Sequence, residues 1–356
     1  MVITKIESSA PGRVCLFGEH QDYLNLPVIP CAINLRVSIS GETAEKSEVK
    51  LNLPDINDSE SFILTDKLHY NRERDYYKSV INVLLKKGFT FSGGITAEVR
   101  GEIPINSGTS SSSALIVAWI NFLTQTSDQS VTLKPEEVAE LAFQAEVAEF
   151  NEPGGKMDHF SCAVGGLFFL DFQPEIKVKK YKGGLKTFVL GDSGEPKDTK
   201  GILSRVKNGV LSIVESLKSF EPGFEIRKCE SDDLEKYRGI LNQEQIELLK
   251  ATVNNYKITL EADKLLSEEN VDDKKIGDLL NKHHSILRDE LKISTQKIDR
   301  MINAALEAGA YGAKINGSGG GGCMFAYAPE NPKDVAEAII KEGGRAFIVE
   351  PDSGVK

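Results

Sequence analysis

The run Gly317-Ser-Gly-Gly-Gly-Gly322 limits what this chain can fold into more than any other stretch. Glycine loses more backbone freedom on ordering than any other residue. Five glycines in six positions, flanked closely by apolar segments, require something that glycine alone permits. That is either positive φ or close approach of another group to the main chain. Successive glycine amides form a concave nest suited to an anion such as phosphate. A flexible linker or a tight hairpin is the plainer alternative, although linkers of this composition usually run longer. The choice turns on whether partners for a phosphate occur elsewhere in the chain.

A chain of 356 residues has room for two domains and a large core. Its 40% hydrophobic and 27% charged residues fit a globular protein in water. The formal charge of −10 argues against nucleic acid or a membrane surface as the main partner. The cysteines (Cys15, Cys31, Cys162, Cys229 and Cys323) are scattered, odd in number and form no CxxC pair. That pattern suits reduced thiols in the cytoplasm better than a disulfide framework or a zinc site. The N-terminus has no basic region followed by an apolar stretch, so no signal peptide is expected. No apolar run reaches the length of a membrane span.

Residues 2–9 alternate weakly and predict a strand that Ala10-Pro11-Gly12 should break. Leu35, Val37 and Ile39 predict a second strand, 41–60 hairpin turns, 77–87 a helix and 95–100 another strand. Pro104-Ile-Asn-Ser-Gly-Thr-Ser-Ser-Ser-Ser113 then interrupts, and Leu115, Ala118, Trp119 and Phe122 follow on one helical face. A Gly/Ser/Thr loop entering a helix offers an anion both the orphan N–H groups and the helix dipole. Capping alone requires one serine; four in a row point to phosphate or Mg²⁺. Pro135 opens a helix that Val138, Leu141, Ala142 and Ala145 carry to about Phe150. Glu146 lies near its apolar face, where a carboxylate needs a partner or a metal unless it sits at the solvent rim. Pro153-Gly-Gly ends that helix ahead of Lys156-Met-Asp158-His159, and 165–171 read as a strand. The Lys/Gly/Asp-rich stretch 180–200 divides the chain into domains 1–180 and 181–356. Helices are expected at 202–220, 234–262 and 273–290. A further helix is built on Ile298, Met301, Ile302 and Ala305, capped by Ser294 or Thr295 and closed by Gly309. The glycine run, a strand at 323–328, a helix at 332–342 and a strand at 346–350 complete the chain.

Three stretches carry a resemblance to a known family. They are Pro11-Gly-Arg13-Val-Cys-Leu-Phe-Gly18-Glu19-His20-Gln-Asp22-Tyr23, residues 104–115, and Gly312-Ala-Lys-Ile-Asn-Gly317 continuing to Gly322. In order and spacing they resemble the three motifs of the GHMP small-molecule kinases, which include galactokinase, homoserine kinase, mevalonate kinase and phosphomevalonate kinase. The first motif is most similar to the galactokinase pattern Gly-Arg-x-Asn-x-x-Gly-Glu-His-Thr-Asp-Tyr. Cys15 stands for its Asn and Gln21 for its Thr. The Asp22-Tyr23 pair favours a sugar, because mevalonate kinases share Gly-Glu-His but typically lack it.

This resemblance implies a two-domain α/β (α+β) fold. The N-terminal domain would be like ribosomal protein S5 domain 2 and the C-terminal domain ferredoxin-like. The implied activity is ATP- and Mg²⁺-dependent phosphorylation of a small-molecule hydroxyl, with the anomeric hydroxyl of a sugar as first expectation. Pro104, Ser107, Gly108, Thr109, Ser110, Ser111, Ser112, Ser113, Gly317, Ser318, Gly319 and Gly320 would bind ATP. Ser111 or Ser112, with Glu146, would meet Mg²⁺. Asp158 would accept or orient the hydroxyl proton, while Arg13 stabilises the transferring charge and keeps Asp158 ionised. Glu19, His20 and Asp22 would bind sugar hydroxyls. His283 and His284 are expected to be structural or solvent-facing.

Two departures bear on the substrate. Lys156 stands where galactokinases carry a small or apolar residue before Met-Asp, and either points to solvent or meets an acidic substrate group. The family's sugar-pocket tyrosine, in a Tyr-Asn-x-Arg-Arg context, has no clear match near 204–208. The alternatives are a mevalonate-type kinase, a kinase of arabinose, glucuronate or a heptose phosphate, and a non-catalytic sugar and ATP sensor. The presence of Asp158, Arg13 and the metal ligands argues against the sensor. The resemblance admits either a monomer or a homodimer.

Overall fold

A computed structural model describes residues 5–105, 107–196, 201–202 and 204–356. The end of the proposed domain boundary, 197–200, and residue 203 of the helix expected after it lie outside them, as do residues 2–4 of the first expected strand. Strands β1 (Ile6–Phe17), β2 (Ile29–Ala44), β3 (Glu48–Leu53), β4 (Asp58–Ile63) and β5 (Gly94–Gly101) form a sheet in the order β1-β2-β5-β3-β4. Two expectations are corrected here. Ala10-Pro11-Gly12 does not end β1; the register shifts between Pro11 and Gly12, so the irregularity absorbs the proline and pairing resumes. Nor is 41–60 a set of turns: β2 runs on to Ala44, and β3 and β4 are paired strands.

Helices α1 (Tyr76–Lys86), α2 (Ser111–Thr126), α3 (Pro135–Phe143) and α4 (Met157–Val164) pack against this sheet. Buried residues run almost continuously along α2, as befits a helix apolar on nearly every side. Its Trp119 is buried and donates its indole N–H to the Tyr77 carbonyl at 3.2 Å. The helix expected to reach Phe150 changes at Gln144, where a π turn occupies Gln144–Ala148 and alters the direction of Glu146. A hairpin of β6 (Phe168–Asp171) and β7 (Lys177–Lys180) follows.

The second sheet joins β8 (Phe188–Asp192), β9 (Gly312–Ile315), β10 (Cys323–Tyr327) and β11 (Arg345–Val349) in the order β11-β8-β10-β9, antiparallel throughout. That is the strand order of a ferredoxin-like sheet, as the resemblance implied. Its helices are α5 (Gly209–Phe220), α6 (Gln243–Leu266), α7 (Asp273–Ser285), α8 (Gln296–Glu307) and α9 (Pro332–Lys341). The helix expected from 234 begins only at Gln243; Ser231–Tyr237 is a 3₁₀ segment. A reciprocal capping box explains the late start. Gln245 N–H donates to the Asn242 side chain, and Asn242 N–H donates to the Gln245 side chain, both at 2.9 Å. Thr295 caps α8 by accepting from Ile298 N–H.

Strand alternation ties the two halves together. Ala10 and Cys15 of β1 enter the core beneath α2, whereas Val14 and Leu16 enter a second core with Phe188, Leu190 and Phe325. The segment 351–356 runs back to the first sheet. Ser9 and Lys356 exchange backbone hydrogen bonds of 3.0 and 2.9 Å, and Arg36 donates to Asp352 and to the Gly354 carbonyl.

Candidate active site

The three motifs converge on one atom, the carbonyl oxygen of Gly108. Arg13 donates to it from β1. Asn316, which follows β9, donates its side-chain N–H to it at 2.9 Å and accepts from Cys15 N–H at 2.9 Å. Cys323 N–H donates to the Ser107 carbonyl at 2.8 Å, and Arg13 N–H to the Thr109 carbonyl at 3.2 Å. Asn316 is fully buried, so each of these bonds satisfies a group that water cannot reach. Glycine is required where loops touch. A Cβ on Gly12 would stand 2.8 Å from the Thr109 carbonyl, and one on Gly319 would stand 2.5 Å from that of Ile293.

These contacts frame a cavity of about 790 Å³. Arg13, Glu19, His20, Asp22, Ser107, Gly108, the serines 110–113, Glu146, Asp158, Gly317 and Ser318 all line it. Pro104, Thr109, Gly319 and Gly320 do not; they shape the loops from behind. The amides of Gly320 and Gly322 are used within the fold, on the carbonyls of Ile293 and Glu195. Gly317, Gly319, Gly320, Gly321 and Gly322 all have positive φ, as the sequence required.

Arg13 and Asp158 form the centre of the site. Arg13 donates through Nε and Nη2 to Asp158 Oδ1, at 2.9 and 2.7 Å. Its own side chain is 4% exposed and that of Asp158 33%, so the carboxylate faces the cavity over a buried cation. Burial disfavours the charge on Asp158, but the Arg13 guanidinium outweighs it and holds the carboxyl below its usual range. Asp22 sits nearby and accepts from the N–H groups of Tyr23 and Met157, at 2.9 and 3.1 Å. Burial and the charge of Asp158 push Asp22 up. A Cβ on Gly155 would lie 2.0 Å from Asp22 Oδ2, so only glycine allows this approach.

The other two residues expected on the sugar are engaged by the protein. Glu19 is 1% exposed and paired with the fully buried Lys314, which also donates to the carbonyls of Cys15 and Ile315. Glu19 Oε2 lies 3.7 Å from His283 Nε2, and neither atom has a hydrogen-bond partner. His20, at φ +61°, accepts from Tyr23 O–H at 2.8 Å and donates to the Ser318 carbonyl at 3.1 Å. Burial lowers its pKa to about 4, which fits the neutral ring those two bonds require. His283 and His284 are both buried, so of the two expectations the structural one holds.

The hydroxyl next to the candidate metal carboxylate differs from expectation. Ser113 Oγ, rather than Ser111 or Ser112, donates to Glu146 Oε2, at 2.7 Å. His159 Nε2 meets the same oxygen at 2.8 Å. Glu146 thus has the partners that its position near an apolar face demanded. A hydroxyl and a carboxylate are hard oxygen donors of the kind Mg²⁺ takes. The Ser110 hydroxyl is buried beside the Asp158 carboxylate at the N-terminus of α2, where the orphan N–H groups and the dipole favour a phosphate. Lys156 does not line this cavity. Ser113, His159, Lys314 and Asn316 are the site residues whose position or role the sequence did not reveal.

Comparison with known proteins agrees with this geometry. The description "GHMP kinases N terminal domain" matches residues 75–166, "GHMP kinases C terminal" 267–346 and "Galactokinase galactose-binding signature" 4–42. The chain belongs to the GHMP kinase family, and is thus a small-molecule kinase that uses ATP. It is similar to a mevalonate kinase of Thermococcus sibiricus, with 29% identity over 97% of this chain and 95% of that protein. It is similar also to a galactokinase of Pyrococcus furiosus, with 28% identity over 99% of each. The Lactococcus lactis galactokinase, solved in complex with galactose, superposes with a TM-score of 0.86 at 21% identity, covering 99% of this chain and 95% of that one. Among the described residues no helix is long and apolar enough to cross a membrane.

Proposed function

We propose that this kinase phosphorylates the anomeric hydroxyl of a sugar, with ATP as donor and Mg²⁺ as the metal, yielding a sugar 1-phosphate and ADP. The observation that carries this reading is the Arg13–Asp158 pair. It faces a cavity bounded by the first motif on one side and both phosphate loops on the other. Asp158, kept ionised by Arg13, accepts or orients the hydroxyl proton as the sugar oxygen attacks. Arg13 balances the charge that spreads over the transferring group. The N-terminus of α2, the Ser110 hydroxyl and the Gly317-Ser318 end of the glycine loop hold the phosphates. Ser113 and Glu146 would hold Mg²⁺, which when bound neutralises charge on the phosphates. Asp22 accepts sugar hydroxyls, and the Glu19–Lys314 and His20–Ser318 contacts fix the first motif against the third. We place the enzyme in the cytoplasm, where reducing conditions suit the buried thiols of Cys15, Cys31 and Cys162.

Similarity to kinases named mevalonate kinase favours a second reading, a mevalonate-type acceptor. ADP formation with Mg²⁺ over a panel of sugars and mevalonate separates the two. Sugar-dependent turnover that disappears in Asp158→Ala supports the proposal. Turnover with mevalonate alone selects the second reading. Binding of ATP and sugar without turnover points to a sensor.

A further inference from the structure

A second cavity, of about 250 Å³, adjoins the first. It shares Asp22, Tyr23, Gly154 and Gly155 with the main cavity and continues past them to Lys156 and Lys207. Asp158 belongs only to the main cavity. A substrate with its reacting hydroxyl at Asp158 and its middle at Asp22 therefore directs its far end toward these two lysines.

The two ammonium groups are not equivalent. Lys156 Nζ donates to both oxygens of Glu140, at 2.8 and 2.9 Å, and lies 5.2 Å from the centre of the Phe143 ring. Its charge is already matched. Lys207 Nζ donates to the Pro153 carbonyl at 2.8 Å and lies 5.3 Å from the Tyr23 ring centre. Among the described residues it forms no ion pair. Partial burial pulls its pKa below the ordinary lysine value, opposed by the more distant Asp22. A partly desolvated ammonium with donors to spare gains most from an anion.

The backbone leading into Lys207 is anchored by its neighbours. It lies in a π turn, Ser204–Asn208, that Val206 anchors in the core. Arg205, one residue earlier, donates to the carbonyls of Leu291 and Lys292, at 2.8 and 3.2 Å. Lys207 is thus set in place before a ligand arrives, which lowers the entropy lost on binding.

We infer that Lys207 receives an anionic group of the substrate, a carboxylate or a phosphate, remote from the hydroxyl that is phosphorylated, so that the acceptor is an acidic sugar rather than a neutral hexose. This rests on the sugar-kinase reading above. Lys156, the lysine that the sequence singled out, instead closes the cavity wall through Glu140.

The test is ATP turnover by the full-length protein on matched sugars. These are galactose with galacturonate and galactose 6-phosphate, and glucose with glucuronate and glucose 6-phosphate; mevalonate serves as a non-sugar acid. An acidic member should exceed its neutral partner in kcat/KM by about tenfold or more, mainly through KM. Lys207→Met should lower that acidic-to-neutral ratio by about tenfold, and Lys207→Arg should retain most of it. A uronate in first place assigns the anion as a carboxylate, and a 6-phosphate assigns it as a phosphate. Neutral sugars turned over as well as their acidic partners, or a ratio unmoved in Lys207→Met, would overturn the inference and leave the sugar-kinase reading standing. Turnover of no sugar, or of mevalonate alone, would overturn that reading and this inference with it.

Discussion

Asp22 feels the charge of Asp158, yet the two carboxylates are shifted in opposite directions. Asp22 is pushed up by burial and by Asp158. Asp158 is also buried against its charge, but its two bonds from Arg13 hold it down. Two carboxylates driven apart in this way can take different roles at one pH, one as the ionised base and the other as an acceptor for substrate hydroxyls.

Removing either member of the central ion pair should leave a folded but slow enzyme. Asp158→Ala is expected to lower kcat by about 10²–10⁴-fold, the usual contribution of a positioned base. Arg13→Met should lower kcat as well. It should also move the acid limb of kcat/KM to higher pH, because Asp158 loses the cation that favours its charged form. Steady-state kinetics across the pH range measure both, and an acid limb that stays in place in Arg13→Met would contradict the assigned link.

Asp22 should be a residue whose function costs stability. Its pKa is higher in the folded than in the unfolded chain, so its ionised form weakens the fold above the folded value. That penalty fades as pH falls through the folded value toward the unfolded one. Asp22→Asn should therefore raise Tm near neutral pH, by a margin that shrinks on acidification, while raising KM for the acceptor about tenfold. Thermal unfolding at several pH values gives the answer. A gain in Tm that does not change with pH would argue against the raised pKa.

Ser111, Ser112 and Ser113 of the second motif should separate in their metal dependence. Ser113→Ala removes the hydroxyl bonded to Glu146, and should raise the Mg²⁺ concentration for half-maximal rate about tenfold. Ser111→Ala and Ser112→Ala should act on KM for ATP instead. Mg²⁺ titrations at saturating ATP, with Mn²⁺ binding followed by electron paramagnetic resonance, distinguish the cases. The same shift in all three variants would remove Ser113 from its special place.

Asn316 should matter to stability far more than its place just before a glycine run suggests. Asn316→Ala leaves Cys15 N–H without its acceptor in a fully buried setting, at an expected cost of about 2 kcal/mol. Asn316→Asp should cost more, since a carboxylate cannot donate to the Gly108 carbonyl and would face it with like charge. Urea unfolding of both variants tests this ranking.

What was legible in the sequence follows a physical pattern. The glycine run and the serine loop could be read because each breaks an ordinary rule, of backbone entropy or of capping, whereas Asp158 was singled out through the family resemblance. The choice of Ser113 could not. It depends on the rotation of α2, which begins after Ser110 in a left-handed conformation that serine rarely adopts. The partner of Glu146 depends on a π turn that helical periodicity does not signal. Asn316 was hidden beside glycines that carried the stronger signal. Proline at position 11 was read as a strand end because a shift in register has no mark of its own in a single sequence.

The return of 351–356 to the first sheet has a consequence for synthesis. β1 stands at the open edge of the five-stranded order, and Ser9 finds its second backbone partner in Lys356. While a ribosome is still making the second half, that edge presents unpaired N–H and C=O groups to any neighbouring chain. A truncation before residue 351 would make the exposure permanent. The 351–356 segment would thus limit strand-to-strand pairing at this edge, and a change that pulls it away from Ser9 should lower the yield of soluble enzyme without touching the active site.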